Sequence, residues 1–219
     1  MKKTITLLIA IIALVLSSCN ISYPEADDTG YMDIVTFVST TSNSATFEMQ
    51  QRDDSPVITY VARDLSVDTE YCPSGTRLLL AYAPISGEPY KSGYIHVLGM
   101  QGVYNAEVKQ SAIPHDWDAD GIFMLEMWRS GNYINVSSVI TSVDVPKRYD
   151  LLVDPATVDD EFPQLYVVFE NAKTNETERA YFASFDIKNL LDKSTCRGVV
   201  VNLKDTYQGN NQITFEKKQ

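Results

Sequence analysis

The residue pattern predicts an all-β chain: a small closed barrel followed by a β-sandwich, with at most one short helix. Three observations carry this. Period-two alternation dominates, as in Ala45, Phe47 and Met49 set against Thr46, Glu48 and Gln50, and a period of two is that of a half-buried strand. Short apolar or β-branched runs recur between turn residues along the whole chain. Glycines sit inside one long extended run, Gly99 and Gly102 within Tyr94 to Val108, where they signal bulges or tight coiling.

The elements follow in order. Val57 to Ala62 is β-branched and aromatic, and Arg77 to Ala83 follows the Pro73-Ser74-Gly75 turn as an almost wholly apolar run, the mark of an interior strand. About five strands in some eighty residues, one of them strongly bent, fit a small barrel over 31–112. An acidic stretch with Pro114 then reads as a hinge, 113–120. Strands resume in 121–219. Ile134 and Val136 alternate with Asn135 and Ser137 after the Ser130-Gly131-Asn132 turn, and Leu165 to Phe169 follows Pro163. Tyr181, Ala183 and Phe185 alternate with Phe182, Ser184 and Asp186, and Val199 to Leu203 and Ile213 to Phe215 close the chain. Even spacing of short strands suggests a sandwich. The helical candidate is Asp186 to Lys193, with Ile187, Leu190 and Leu191 on one face and Asp186 placed to cap it.

The first 18 residues read as a targeting segment. Lys2 and Lys3 form a positive start, and Ile5 to Leu16 is an apolar run interrupted only by Thr6, too short to span a bilayer comfortably. It ends in Leu16-Ser17-Ser18-Cys19, which resembles the lipobox of bacterial lipoproteins. That resemblance implies cleavage before Cys19, diacylglycerol on its thiol and an acyl chain such as palmitate on its amine. Two or more chains give a stable membrane anchor, since each buried methylene contributes roughly 0.8 kcal/mol. Residues 19–30 then form a polar tether with Pro24, Glu25, Asp27 and Asp28. Asn20, where inner-membrane retention favours Asp, points to the outer membrane of the cell envelope. The formal net charge is −11, which argues against nucleic-acid partners because nothing would neutralise phosphates.

Few constellations carry chemistry. Asp116, Asp118 and Asp120 alternate and Gly121 follows, the opening half of a calcium loop. Position twelve, where a bidentate carboxylate belongs, is Met127, and Glu126 falls one short. Both a weak calcium site and a solvated acidic hinge remain open there; no other cofactor is indicated. Trp117 lies inside this stretch, at a place where it could cover the junction, and is expected to serve packing more than ligand binding. His96 and His115 show no zinc spacing with Cys72 and Cys196, which are expected as two separate thiols. Asp53-Asp54 and Asp159-Asp160-Glu161 read as solvated loop carboxylates. No nucleophile elbow or phosphate loop occurs. The chain holds 13 Tyr, 8 Phe and 2 Trp, which suit strand packing and, as a second reading, a sugar-stacking face.

Four stretches, taken in order, resemble the NigD-like lipoproteins of Bacteroidetes-type bacteria: Leu16 to Cys19, "GTRLLLAYAP" at Gly75 to Pro84, "VLGMQGVYNAEVK" at Val97 to Lys109, and "DGIFMLEMWRSGNYINV" at Asp120 to Val136. The later "QLYVVFENAKTNETE" and "AYFASFDI" fit as well. The resemblance implies an N-terminal barrel of the oligonucleotide/oligosaccharide-binding (OB) type, a C-terminal β-sandwich and an immunity role. It carries over no catalytic or binding residues. The expected function is therefore a non-catalytic, membrane-anchored lipoprotein that binds a protein partner as an accessory or immunity factor. A glycan-binding surface protein is the alternative, and a hydrolase with an unrecognised site the third reading.

Overall fold

The computed structural model describes residues 30–141, 146–170 and 178–218. The expected leader, the lipidation residue Cys19 and all of the tether except Gly30 lie outside the described residues. Among those described, no helix is long and apolar enough to cross a membrane.

The N-terminal lobe is a closed barrel of five strands: β1 (Tyr31–Thr41), β2 (Ser44–Met49), β3 (Ile58–Arg63), β4 (Arg77–Pro84) and β5 (Gly93–Gly102), in the order β1-β2-β3-β5-β4 with β4 returning to β1. Alternation is what fills it: Phe37, Phe47, Tyr60, Leu80, Tyr82 and Ile95 are buried in one cluster. β5 closes the ring by pairing parallel with β3 at its start and antiparallel with β4 along its length. Its register slips where Ala81 faces Gly99 and Tyr82 faces Val97, which leaves exposed Leu98 as the extra residue of a bulge. The Pro73-Ser74-Gly75 turn is pinned to β1. Ser74 Oγ donates to the Val38 carbonyl (2.7 Å), and the N–H of Gly75, at φ +93°, donates to that of Phe37 (2.8 Å).

The C-terminal lobe is a sandwich. It holds β6 (Tyr104–Glu107), β7 (Lys109–Gln110), β8 (Phe123–Ser130), β9 (Tyr133–Thr141), β10 (Arg148–Val153), β11 (Gln164–Glu170), β12 (Glu178–Asp186), β13 (Gly198–Asp205) and β14 (Gly209–Glu216). One sheet runs β14-β13-β11-β10-β7 and the other β6-β12-β9-β8. Their facing sides bury Val136, Leu151, Leu165, Phe185, Val201 and Leu203, among others.

This corrects the sequence reading of the boundary. The run expected as one barrel strand is cut at Val103. Its second part, β6 and β7, pairs in parallel with β12 and β10 of the sandwich. The barrel pairing thus ends at Gly102, not at 112. Local alternation is the same in both lobes and does not say which sheet accepts the strand.

The helix is shorter than expected. Within the expected run only α1 (Lys188–Leu191) is helical, with Ile187 at its N-cap and no side-chain cap from that residue. Asp186 still accepts the N–H of Lys188 through Oδ1 (2.8 Å), and Ile187, Leu190 and Leu191 are buried as the pattern implied. Cys72 packs beside the barrel core and Cys196 is buried in the sandwich, and both are free thiols.

Candidate functional site

The two lobes are held by a pair of buried arginines that reach in opposite directions. Arg77, on the outer face of β4, crosses from the barrel onto the sandwich. Its Nε donates to Ser184 Oγ (3.1 Å), Nη2 to Asn135 Oδ1 (3.0 Å), and Nη1 back to Thr36 Oγ1 (2.9 Å). Its guanidinium lies 4.3 Å from the Tyr133 ring centroid. Ser184 Oγ also donates to Asn135 Oδ1, and Asn135 Nδ2 donates to Ser130 Oγ. Arg77, Asn135, Ser184 and Ser130 are all buried, so the outer polar positions of β9 and β12 face the barrel. Burial draws the Arg77 pKa down to about 10, partly offset by Tyr133 and Asp186. It remains charged at neutral pH, solvated by neutral oxygens and an aromatic face.

Arg129 makes the reverse connection. It sits near the end of β8, its side chain fully buried, and meets Asp54 of the barrel's β2–β3 loop at two points: Nη1 to Oδ1 (2.9 Å) and Nη2 to Oδ2 (2.5 Å). The same guanidinium donates to the carbonyls of Gly131 (2.8 Å) and Glu216 (2.9 Å), which ties β8 to β14 across the open side of the sandwich. The Arg129 hydrogen bond holds the Asp54 carboxyl below its ordinary pKa against some desolvation, with help from the Lys218 N–H. The backbones join too. Asp53 N–H donates to the Arg129 carbonyl and Gly131 N–H to that of Asp53, both at 2.7 Å. Asp53 adopts φ 48° and Gly131 φ +55° to do so, a conformation that Asp and Gly tolerate best.

Asp53 and Asp54, expected as solvated, are therefore corrected: they anchor the joint. The sequence offered no cue, since their partner lies on another lobe. The second acidic run behaves more as expected, with Asp159 bonded to Lys193 (2.7 Å) and Glu161 near Arg197 (3.3 Å) at the surface.

Two clefts flank the clasp. The larger, ≈ 780 Å³, is lined by Arg52, Trp128, Arg129, Phe162, Arg197 and Lys218, among others. Three of its cations are already paired, Arg52 with Glu126, Arg129 with Asp54 and Arg197 with Glu161. The smaller, ≈ 510 Å³, opens between the barrel's outer wall and the β8-β9-β12 face. Strand register builds its floor. Glu126 on β8 lies beside Ser137 on β9, which lies beside Phe182 on β12, and Trp128 stands in the neighbouring row. Met32, Ile34 and Leu79 form the opposite wall, with Tyr90 and Asp33 at the barrel mouth.

Asp33 ends a hydroxyl chain. Tyr60 and Tyr82 share a hydrogen bond (2.8 Å), and Tyr82 donates to Asp33 Oδ2 (2.8 Å). Desolvation pushes the Asp33 carboxyl above its ordinary pKa, only partly offset by the Tyr82 hydrogen bond. Much of the tyrosine content is explained by packing of this kind, with Tyr31 close to both Tyr82 and Tyr90 and Tyr104 stacked on Tyr149 in the sandwich.

The candidate calcium ligands do not assemble. Among the described residues, no group of three or more His, Cys, Asp or Glu converges as a metal site. Asp118 Oδ2 accepts from Asn210 Nδ2 (3.0 Å), which lowers the Asp118 pKa. The Lys204 ammonium binds the carbonyls of Asp118 (2.6 Å) and Ala119 (3.4 Å). A side-chain cation thus holds the loop at Asp116, Asp118 and Asp120 against β13. Trp117 does not cover the junction: it lies edge-on against Tyr166 (5.1 Å) on the outer face of the five-stranded sheet. His96 and His115 are both exposed.

No protein-family model and no curated protein matches the sequence. Solved structures do match along most of it. A protein of unknown function from Bacteroides vulgatus aligns with a TM-score of 0.66 at 15% identity, covering 87% of this chain and 92% of that one. A NigD-like immunity protein from Bacteroides caccae aligns at 0.56 and 11%, covering 88% and 93%. A candidate lipoprotein from Bacteroides fragilis aligns at 0.56 and 11%, covering 87% and 99%. At such identities the likeness is one of fold. The resemblance to NigD-like lipoproteins drawn from the sequence is thus borne out in the architecture, which this chain shares with the NigD-like immunity protein from Bacteroides caccae.

Proposed function

We propose that this protein is a lipid-anchored component of the cell envelope, held at the outer membrane through Cys19, that acts by binding a protein partner as an accessory or immunity factor and not by catalysis. The observation that carries the reading is the double arginine clasp. Arg77 and Arg129 lock barrel to sandwich from both sides, so the clefts beside them are preformed, and a preformed surface avoids the ordering cost of association. Both guanidiniums are held at three or more points, Arg77 by Thr36, Asn135 and Ser184 and Arg129 by Asp54, Gly131 and Glu216, an arrangement that suits a rigid presenting surface. The lipobox and the fold shared with a NigD-like immunity protein and a candidate lipoprotein support the anchor and the class.

Two experiments test this. Labelled palmitate should enter the native protein and be lost in Cys19→Ala; labelling that survives in Cys19→Ala overturns the anchor. Crosslinking on intact cells followed by purification should recover one partner in near-stoichiometric amount. Recovery of the protein alone, at crosslinking yields that capture known envelope complexes, overturns the binding reading.

A further inference from the structure

The cleft between the barrel wall and the β8-β9-β12 face contains an electrostatic imbalance. Its charged residues are Asp33, Glu126 and Arg52. Arg52 and Glu126 form an ion pair with each other. Asp33 has only the Tyr82 hydroxyl, on Oδ2, and among the described residues no cation stands within ion-pair distance of it. It is a half-buried carboxylate with one oxygen unmatched, at the barrel-mouth end of a cleft whose lining includes Trp128, Phe182, Tyr90 and Met32.

A desolvated carboxylate without a counter-charge is costly to hold. A bound cation removes that cost, and aromatic faces add attraction to a desolvated cation. An anionic ligand would meet two carboxylates against one arginine that is already engaged. A neutral ligand would leave Asp33 uncompensated. The whole chain, at −11, steers cations toward itself as well. Burial's upward pull on the Asp33 pKa agrees with a carboxyl that lacks its partner.

We infer that this cleft is the recognition pocket for a lysine or arginine side chain of the protein partner, with Asp33 as its counter-ion and Trp128, Phe182 and Tyr90 as the surfaces that enclose its stem. The inference rests on the protein-binding reading above and names the chemistry of that partner. Aromatic residues enclosing a charged anchor at a cleft centre are the arrangement in which binding energy concentrates.

The test uses the full chain in mild detergent and trilysine and triarginine as probes, with triglutamate and maltotriose as controls. Binding is read from Trp128 fluorescence in a Trp117→Phe background, since Trp117 packs on the far face of the sandwich. A saturable response to the basic peptides, weakened by salt, is expected. It should fall by about 30-fold or more in Asp33→Asn, the loss that follows removal of one partner of a desolvated charge pair. It should also fall in Phe182→Ala, and stay unchanged in Asp159→Asn, a surface acid elsewhere. Asp33→Asn should melt no lower than the parent, which separates lost binding from lost folding. No saturable response to either basic peptide at millimolar concentration overturns the inference, as does equal binding by Asp33→Asn, or binding of maltotriose or triglutamate instead. If crosslinking recovers the same partner with wild type and Asp33→Asn at equal yield, the protein-binding reading stands and this pocket is removed from it.

Discussion

Arg129 and Asp54 form a two-point ion pair across the joint between barrel and sandwich, 75 positions apart in sequence, with the guanidinium fully buried and the carboxylate one-third exposed. Removing Asp54 takes away the closest carboxylate from a buried guanidinium and leaves it with the Gly131 and Glu216 carbonyls and with Asp53 Oδ1 at 3.8 Å. Asp54→Ala should therefore lower the unfolding free energy by about 3–5 kcal/mol, measured by urea denaturation, with solvent access to Asp54 placing it at the low end. Arg129→Met should cost less, because the carboxylate left behind can be hydrated.

The same pair sets an acid limit. The folded Asp54 pKa lies below its ordinary 3.8, so the unfolded chain takes up its proton first as pH falls. The stability from this group is fully present above the unfolded value and is lost as pH drops through the folded one. Wild type should lose stability below about pH 4 more steeply than Asp54→Asn does, as seen in melting temperatures across an acid series.

Asp33 works in the opposite sense. Its folded pKa is raised by burial, so folding favours the protonated form and stability declines as pH rises from the ordinary carboxylate value through the raised one. Asp33→Asn, whose amide oxygen still accepts from Tyr82, should match or exceed the wild-type melting temperature at neutral pH and lose the advantage near pH 3. A neutral-pH destabilisation of the variant would contradict this assignment.

Arg77 bonds three neutral oxygens on both lobes, in a planar geometry that an ammonium does not copy. Arg77→Lys should leave some of Thr36, Asn135 and Ser184 without partners, at about 1–3 kcal/mol for each buried group left unsatisfied. Hydrogen exchange should rise at β1 and β9 together, since the clasp couples them. Exchange confined to the barrel would argue against an interlobe role.

Calcium should not stabilise the protein. Lys204 holds the carbonyls of the Asp116–Asp120 loop, and Asn210 holds Asp118. Millimolar calcium should leave the melting temperature unchanged, and a rise of several degrees would restore the metal reading.

Local information was legible where it was sufficient. The alternation of β2, the apolar run of β4 and the glycine beside the β5 bulge all report geometry within a few residues, and the structure contains each of them. The length of α1 was over-read, because a helical pattern of eight residues is marginal without tertiary support and only one turn forms. The loop carboxylates Asp53 and Asp54 looked solvated because nothing within ten residues of them is buried and basic.

The sequence by itself determined an all-β chain, two β-rich lobes and the lipobox pattern at Cys19, since period, turn residues and targeting composition are local properties. Only the tertiary structure decided where Tyr104 to Gln110 pairs, which carboxylates meet a buried guanidinium and which one is left uncompensated in a cleft. Those outcomes rest on contacts between residues as far apart as Arg77 and Ser184, 107 positions. Burial and charge compensation depend on what packs opposite a side chain, which its own segment does not encode.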